Sequence, residues 1–360
     1  MRLIELSYQD HHRKWGFSKL QLSRVTLLVG VSGVGKTQIL RSISNLKRIA
    51  NGYSFNGLQW SVTFEHNSHT YIWSGKFECI EDSEANIYSH SDINAPKCKL
   101  VSESITIDGK TIAERNNGEI LYNKNRTIEL PDSQSVAYLL RSTPEIKPLY
   151  DAFMLIFSLG AMSPKFSPTQ WPIKELGTNN QTELIASYYP VSLKLYEAHI
   201  KKYKVYDQIK RHFTSIFCDV EDIRIGYFTK EKDSLRIQIK EKFIDGWIDQ
   251  SNISSGMMRT LSQLSQVLLS PPGSVILIDE FENSLGVNCI DILTNELIDS
   301  SNNTQFIITS HHPYIINNIS PDDWKIVTRK GGEVTIKNAT ELKIDHSSHD
   351  AFIQLINAIN

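Results

Sequence analysis

The order of apolar and polar positions divides the chain into three rhythms. Near the start, residues 3–6 alternate, and residues 25–29 (Val-Thr-Leu-Leu-Val) are almost continuously apolar, as in a strand buried on both faces. A polar stretch around His11, His12, Arg13 and Lys14 separates the two. After residue 37, Ile39, Leu40, Ile43 and Leu46 recur on one side of a predicted helix. From 51 to about 130 the period falls to two. Residues 59–65 and 70–77 alternate about a turn at 66–69, and shorter β-like pieces follow at 104–107 and 127–130, which predicts an antiparallel β subdomain. Residues 160–182, rich in Pro, Ser, Gly and Asn, read as a loop. Residues 192–217 predict one long amphipathic helix with Tyr196, Ile200, Tyr203, Ile209, Phe213 and Ile216 on its apolar stripe, opposite Lys194, Lys201, Lys204 and Arg211. The final third returns to an α/β rhythm: helix 256–269, strand 274–279, helix 288–299, strand 305–310 and a β-like pair near 324–337.

Composition adds mainly exclusions. The 360 residues carry 38 Lys+Arg against 40 Asp+Glu, with 40% hydrophobic and 22% charged positions, which excludes a disordered, fibrous or disulfide-stapled chain. A net charge of −2 gives no overall argument for nucleic acid, although a local basic patch stays open, with the lysine strip of 192–217 its candidate against a plain solvated face. The longest apolar runs, 153–157 and 275–278, fall far short of the roughly 18–20 residues of a membrane helix, and the start lacks a signal-peptide core. The expectation is a cytoplasmic protein without a membrane partner. Cys79, Cys98, Cys218 and Cys289 lie far apart with no C-x-x-C pair, so neither a zinc ribbon nor a disulfide framework is signalled.

Four segments carry chemistry. Gly30, Val31, Ser32, Gly33, Val34, Gly35, Lys36 and Thr37, followed by Gln38, match the phosphate-binding loop in full, with the strand before and the helix after. Glycines let the backbone fold around a triphosphate and aim its N–H groups inward; Lys36 would sit between the β- and γ-phosphates and the Thr37 hydroxyl would ligate Mg2+. Residues 275–280 are an apolar strand ending in Asp279 and Glu280: the first could hold Mg2+, and the second could orient or deprotonate the attacking water. Ser254, Ser255 and Gly256 lead into the 256–269 helix, either as a simple N-cap or as a surface of N–H groups and hydroxyls for a γ-phosphate arriving from a second subunit. Residues 306–313 are a second buried strand ending in Ser310, His311 and His312, where the His311 imidazole could sense the γ-phosphate. The 346–350 segment, His-Ser-Ser-His-Asp, has metal-like spacing but reads first as the polar start of a last helix; Trp15 and Phe17 could stack on adenine or pack in the core.

In this order and spacing the four segments resemble the ATP-binding cassette (ABC) ATPases, in the soluble branch that contains RecF-type, SMC-type and OLD-family proteins, over residues 1–50 and 250–320. The run Glu282, Asn283, Ser284, Leu285 followed by Thr-Ser-His-x-Pro looks like bacterial ATPases of anti-phage type. The resemblance implies an α/β P-loop NTPase fold of ABC ATPase type with a β-rich subdomain and a helical insertion. The expected organisation is 1–50 for the N-terminal part of the core, 51–135 for the β-rich subdomain, 136–245 for the mainly helical insertion and 246–360 for the C-terminal part of the core. It also implies Lys36 and Thr37 in Walker A, Ser254 to Met257 as the signature, Asp279 and Glu280 in Walker B, 282–285 as the D-loop and His311 as the switch histidine. Two departures stand out: the signature is Ser-Ser-Gly-Met and the D-loop continues Leu285-Gly286-Val287. Gln134, Gln170 and Gln181 all remain open as the Q-loop glutamine.

The implied activity is hydrolysis of ATP with Mg2+ by a homodimer, or a higher even oligomer, that clasps two ATP molecules and switches a separate, nuclease-type effector in phage defence. Alternatives are a RecF-like DNA-repair ATPase, for which DNA would be a partner, and an ATP-stabilised scaffold. Missing heptad arms disfavour SMC-like tethering, and a missing Asn-Lys-x-Asp motif disfavours a GTPase.

Overall fold

The computed structural model describes residues 1–80, 97–159, 176–227, 235–283, 285, 287–300 and 303–342. The chain divides into two compact units, Met1–Phe157 with the residues from Ser320 onward, and Ser158–Ile319.

In the first unit, Val25–Val29 is buried at all five positions and runs parallel to Trp324–Lys330, pairing Leu27 with Trp324 and Val29 with Ile326. The order continues through Glu333–Asn338, Trp15–Gln21 and Arg2–Asp10 into an antiparallel meander: Leu58–His66, His69–Phe77, Leu100–Ile107, Lys110–Asn116, Glu119–Tyr122 and Asn125–Arg126. Period-two alternation turns Trp60, Val62, Phe64, Tyr71, Trp73 and Phe77 to the covered face. There Trp60 meets Trp73 edge-on at 5.2 Å, and Phe64 stacks on Tyr71 at 4.9 Å. Phe153, from the helix Lys147–Met154, closes over Trp73 at 4.8 Å. The hairpin turns through Asn67 and Ser68 at φ 50° and 65°, the two-residue geometry that matches strand twist. The helix Lys36–Ala50 buries Ile39, Leu40, Ile43 and Leu46, the stripe read from its sequence.

One local expectation fails in this unit, and one strand was not expected. Trp15–Gln21 is a strand that the pattern did not reveal, because a left-handed Lys19 (φ 55°) interrupts its alternation. The β-like piece at 127–130 is not a strand. Asn125–Arg126 takes the pairing with Glu119–Tyr122 across a tight turn at Asn123 and Lys124, leaving Ile128 81% exposed.

In the second unit, Val275–Ile278 pairs in parallel with Gln305–Thr309, both wholly buried. A separate antiparallel sheet joins Val220–Gly226, Arg236–Glu241 and Ile248–Asp249. The single helix expected at 192–217 is two, Val191–Ile200 and Lys204–Ile216. Lys202 adopts φ 54°, and the N–H groups of Lys202 and Tyr203 bond back to His199 and Ala198, a left-handed helix stop. That stop rephases the side chains and dissolves the basic strip. Lys194 turns inside, 2% exposed, donating to the carbonyls of Ile185 (2.8 Å) and Leu269 (2.9 Å) near the carboxyl ends of two helices. Lys201 donates to Thr178 O and pairs with Glu197 at 2.7 Å, so only Lys204 and Arg211 remain exposed. No helix among the described residues is long and apolar enough to cross a membrane.

Candidate functional site

The 25–29 strand delivers the chain into the phosphate loop, and the loop delivers it into the helix Lys36–Ala50. At Gly30 the backbone passes so close to its neighbour that a Cβ would lie 2.3 Å from Val327 O, which no side chain tolerates. At Gly35, φ is 106°, and a Cβ would also press on the Trp15 indole nitrogen at 3.3 Å. Gly35 is the helix N-cap and supplies no side-chain cap, and no acidic residue sits in the first turn. The helix start is therefore electropositive and its N-cap residue adds no side-chain cap, a fitting seat for phosphate oxygens. Lys36, 7% exposed, folds its ammonium over the loop and donates to the carbonyls of Gly30 (2.7 Å) and Val31 (3.0 Å). Val31, Ser32 and Gly33 are exposed, Val34 is buried, and Thr37 and Gln38 are half-buried on the first turn. Phe17 is a core side chain, stacked on Tyr8 at 6.3 Å, whereas Trp15 lies at the core's edge against the loop.

In the second unit the acidic strand end is held from several directions. Thr309 stands at the end of the adjacent parallel strand. Its hydroxyl donates to Asp279 Oδ1 (2.9 Å) and accepts the Glu280 N–H (2.7 Å). Glu280 adopts φ 47°, a conformation that non-glycine residues rarely hold without support from their surroundings. Arg259, 8% exposed on the helix Ser255–Leu269, supplies that support: one guanidinium nitrogen donates to both Asp279 O (3.0 Å) and Glu280 O (2.8 Å). Burial lowers the Arg259 pKa from its ordinary value, while Glu280, Asp279 and Glu282 pull it back up. Asn283 donates to Glu280 Oε2 (3.0 Å), and the backbone N–H of His311 donates to Glu282 Oε1 (2.6 Å). Asp279 is half-buried, and Glu280 and His311 are exposed. The second unit thus brings together Asp279, Glu280, Glu282, Asn283 and His311. Sequence reasoning missed the two residues that organise them, Thr309 and Arg259. An arginine on an otherwise leucine-lined helix was the available signal.

Ser254 caps the helix Ser255–Leu269, its hydroxyl accepting the Met257 N–H at 3.2 Å. Ser254 and Ser255 are exposed and Gly256 is half-buried. Of the Q-loop candidates, Gln181 spends its side-chain oxygen on the Val205 N–H, and Gln134 uses its backbone carbonyl to hold Arg115. Gln170, Ser284 of the D-loop segment and the 346–350 segment lie outside the described residues.

The sequence matches, over residues 25–317, the family model described as "AAA domain, putative AbiEii toxin, Type IV TA system". No curated protein matches it. Solved structures with a similar chain trace include an SMC head bound to the C-winged helix domain of ScpA, at 14% identity and TM-score 0.49, covering 94% of this chain and 97% of that one. The SMC head domain from Thermotoga maritima is similar at 16% identity and TM-score 0.45, covering 94% and 99%. The Pyrococcus furiosus Smc head with an extended coiled coil, bound to the C-terminal domain of ScpA, is similar at 14% identity and TM-score 0.47, covering 95% and 98%. With its buried strand, glycine loop and helix at residues 25–50, the fold is that of an α/β P-loop NTPase.

Proposed function

This chain belongs to the AAA-domain family whose model it matches, and from that premise we propose that it binds ATP between two copies of itself and hydrolyses it to switch a partner effector. The observation that carries the reading is the phosphate loop itself: Lys36 enclosed on the loop's own carbonyls at the foot of a helix whose N-cap is a glycine. When ATP enters, the Lys36 ammonium exchanges those two carbonyls for β- and γ-phosphate oxygens, and the N–H groups of the loop and first helical turn receive the rest of the charge. Thr37 is a hard oxygen donor of the kind Mg2+ takes, and so is Asp279, one of whose oxygens the Thr309 hydroxyl already fixes. When bound, Mg2+ would neutralise phosphate charge. Glu280 aligns the attacking water and takes up its proton, and His311 reads the γ-phosphate. Exposed Ser254 and Ser255, with Gly256, present hydroxyls and N–H groups to the ATP held by the second copy.

Trapped ATP then favours the dimer and its hydrolysis releases it, so nucleotide state biases whatever the effector recognises. The family's description names a toxin–antitoxin system, which fits a role in phage defence with a separate effector chain. The test is phosphate release by purified protein. The wild type is expected to turn over ATP, and Lys36→Met to lose both turnover and ATP binding; a Lys36→Met protein that still binds and hydrolyses ATP would overturn the reading.

A further inference from the structure

Away from the nucleotide machinery, the rim of the meander holds two cysteines that the fold places in register. Phe77 pairs with Leu100 in the last rungs of their strands. One residue on, the Glu78 N–H donates to Lys99 O (2.9 Å), while the Lys99 N–H donates to the Glu78 carboxylate (2.7 Å). The strands end at Phe77 and Leu100; extending their antiparallel count two residues past that last rung would set Cys79 opposite Cys98. The backbone around Cys79 is fixed on its other side as well: Gly57 N–H donates to Glu78 O (2.8 Å), and the Asn56 amide bonds both the N–H and the carbonyl of Ile80 (2.8 and 2.9 Å). Opposed residues on neighbouring strands have Cα atoms about 4.5–5.5 Å apart, within the about 4.4–6.8 Å that a disulfide spans. Both thiols are free; Cys79 is exposed and Cys98 is 1% exposed.

We propose that Cys79 and Cys98 form a reversible thiol–disulfide pair, oxidised by a small-molecule disulfide such as glutathione disulfide. Exposure makes Cys79 the attacking sulfur. Burial, then the Glu78 carboxylate, then Cys79 itself push the Cys98 thiol up to about 11, which keeps it protonated at neutral pH and leaves the first attack to Cys79. In the first step the Cys79 thiolate attacks one sulfur of glutathione disulfide, forming a mixed disulfide and releasing one glutathione thiolate, which takes up the proton Cys79 lost. In the second, Cys98 gives up its proton and attacks the Cys79 sulfur; the protein disulfide forms, and the second glutathione leaves and is protonated. The two protein thiols are oxidised by two electrons and glutathione disulfide is reduced to two glutathione molecules.

The experiment uses the full chain carrying Cys218→Ser, which removes the other exposed thiol and leaves three of the four cysteines. After exposure to glutathione disulfide, thiols are counted by alkylation under unfolding conditions and a non-reducing digest is mapped. The expected result is loss of two of the three thiols, one peptide pair joined through Cys79 and Cys98, and recovery of both thiols with dithiothreitol. A further Cys98→Ala change should halt the reaction at a glutathione adduct on Cys79. A lasting adduct on Cys79 with Cys98 still alkylatable, or a disulfide between chains, would overturn the proposal, and the digest of the Cys218→Ser protein decides this even if Cys98→Ala does not fold.

Discussion

Replacing Arg259 with alanine tests whether the glutamate turn depends on the helix beside it. The guanidinium donates to two successive carbonyls, Asp279 O at 3.0 Å and Glu280 O at 2.8 Å, in the two peptides that flank the Glu280 Cα, where φ is 47°. A hydrogen bond from a charged donor contributes about 1.5–3 kcal/mol. Because one nitrogen serves both carbonyls, the pair is worth about 3 kcal/mol at most. The left-handed conformation it restrains costs about 1–2 kcal/mol for a non-glycine residue. If the full 3 kcal/mol reaches the transition state, turnover falls by about 100-fold, since each 1.36 kcal/mol is a factor of ten. ATP affinity should stay near the wild-type value, because the Arg259 bonds to Asp279 O and Glu280 O hold the glutamate turn and the substitution leaves the phosphate loop unchanged. Arg259→Lys, with a single ammonium, should recover about tenfold of the loss. The assay is steady-state phosphate release beside equilibrium binding of a fluorescent ATP analogue, with circular dichroism to confirm folding. Turnover within about threefold of wild type, or a loss confined to ATP affinity, would refute the idea that Arg259 positions Glu280.

Other expectations follow from the same geometry. Gly35→Ala places a Cβ 3.3 Å from the Trp15 indole at φ 106° and should cost about 1–2 kcal/mol in a thermal melt while weakening ATP binding. Ser254→Ala removes a cap worth about 1 kcal/mol, so the melting temperature should fall slightly, with a larger loss of ATP-dependent association measured by light scattering. Lys194 has its pKa lowered to about 8 by burial against an ordinary 10.5. Between those values the unfolded chain holds a proton that the folded chain has released, so wild-type stability relative to Lys194→Met should rise with pH across that window and level off beyond it, as urea titrations would record.

The strand–loop–helix of residues 25–50 was legible because each part announces itself locally: an apolar run, three glycines and a 3.6-residue stripe. The meander was legible for the same reason, since Trp60, Val62 and Phe64 alternate with polar neighbours and a turn sits at Asn67 and Ser68. The rest depends on conformations and contacts that the pattern does not encode. Lys202 gives no advance sign of the left-handed φ that splits one apparent helix into two, and with it goes the basic strip, because Lys194 finds two helix-end carbonyls instead of water. Lys19 breaks the alternation of a real strand in the same way. In the candidate site, the acids and histidines could be named from their place at strand ends. Arg259 and Thr309 could not, because their roles arise from hydrogen bonds across 20 to 30 residues of chain.

The central claim, a nucleotide held between two copies of the chain, is tested most directly with Glu280→Gln, which keeps the hydrogen-bonding shape of the side chain and removes its capacity to take up a proton. Light-scattering mass of this variant, measured with and without ATP and Mg2+, should give two chains with nucleotide and one without. A single-chain mass under both conditions, with ATP demonstrably bound, would contradict the account.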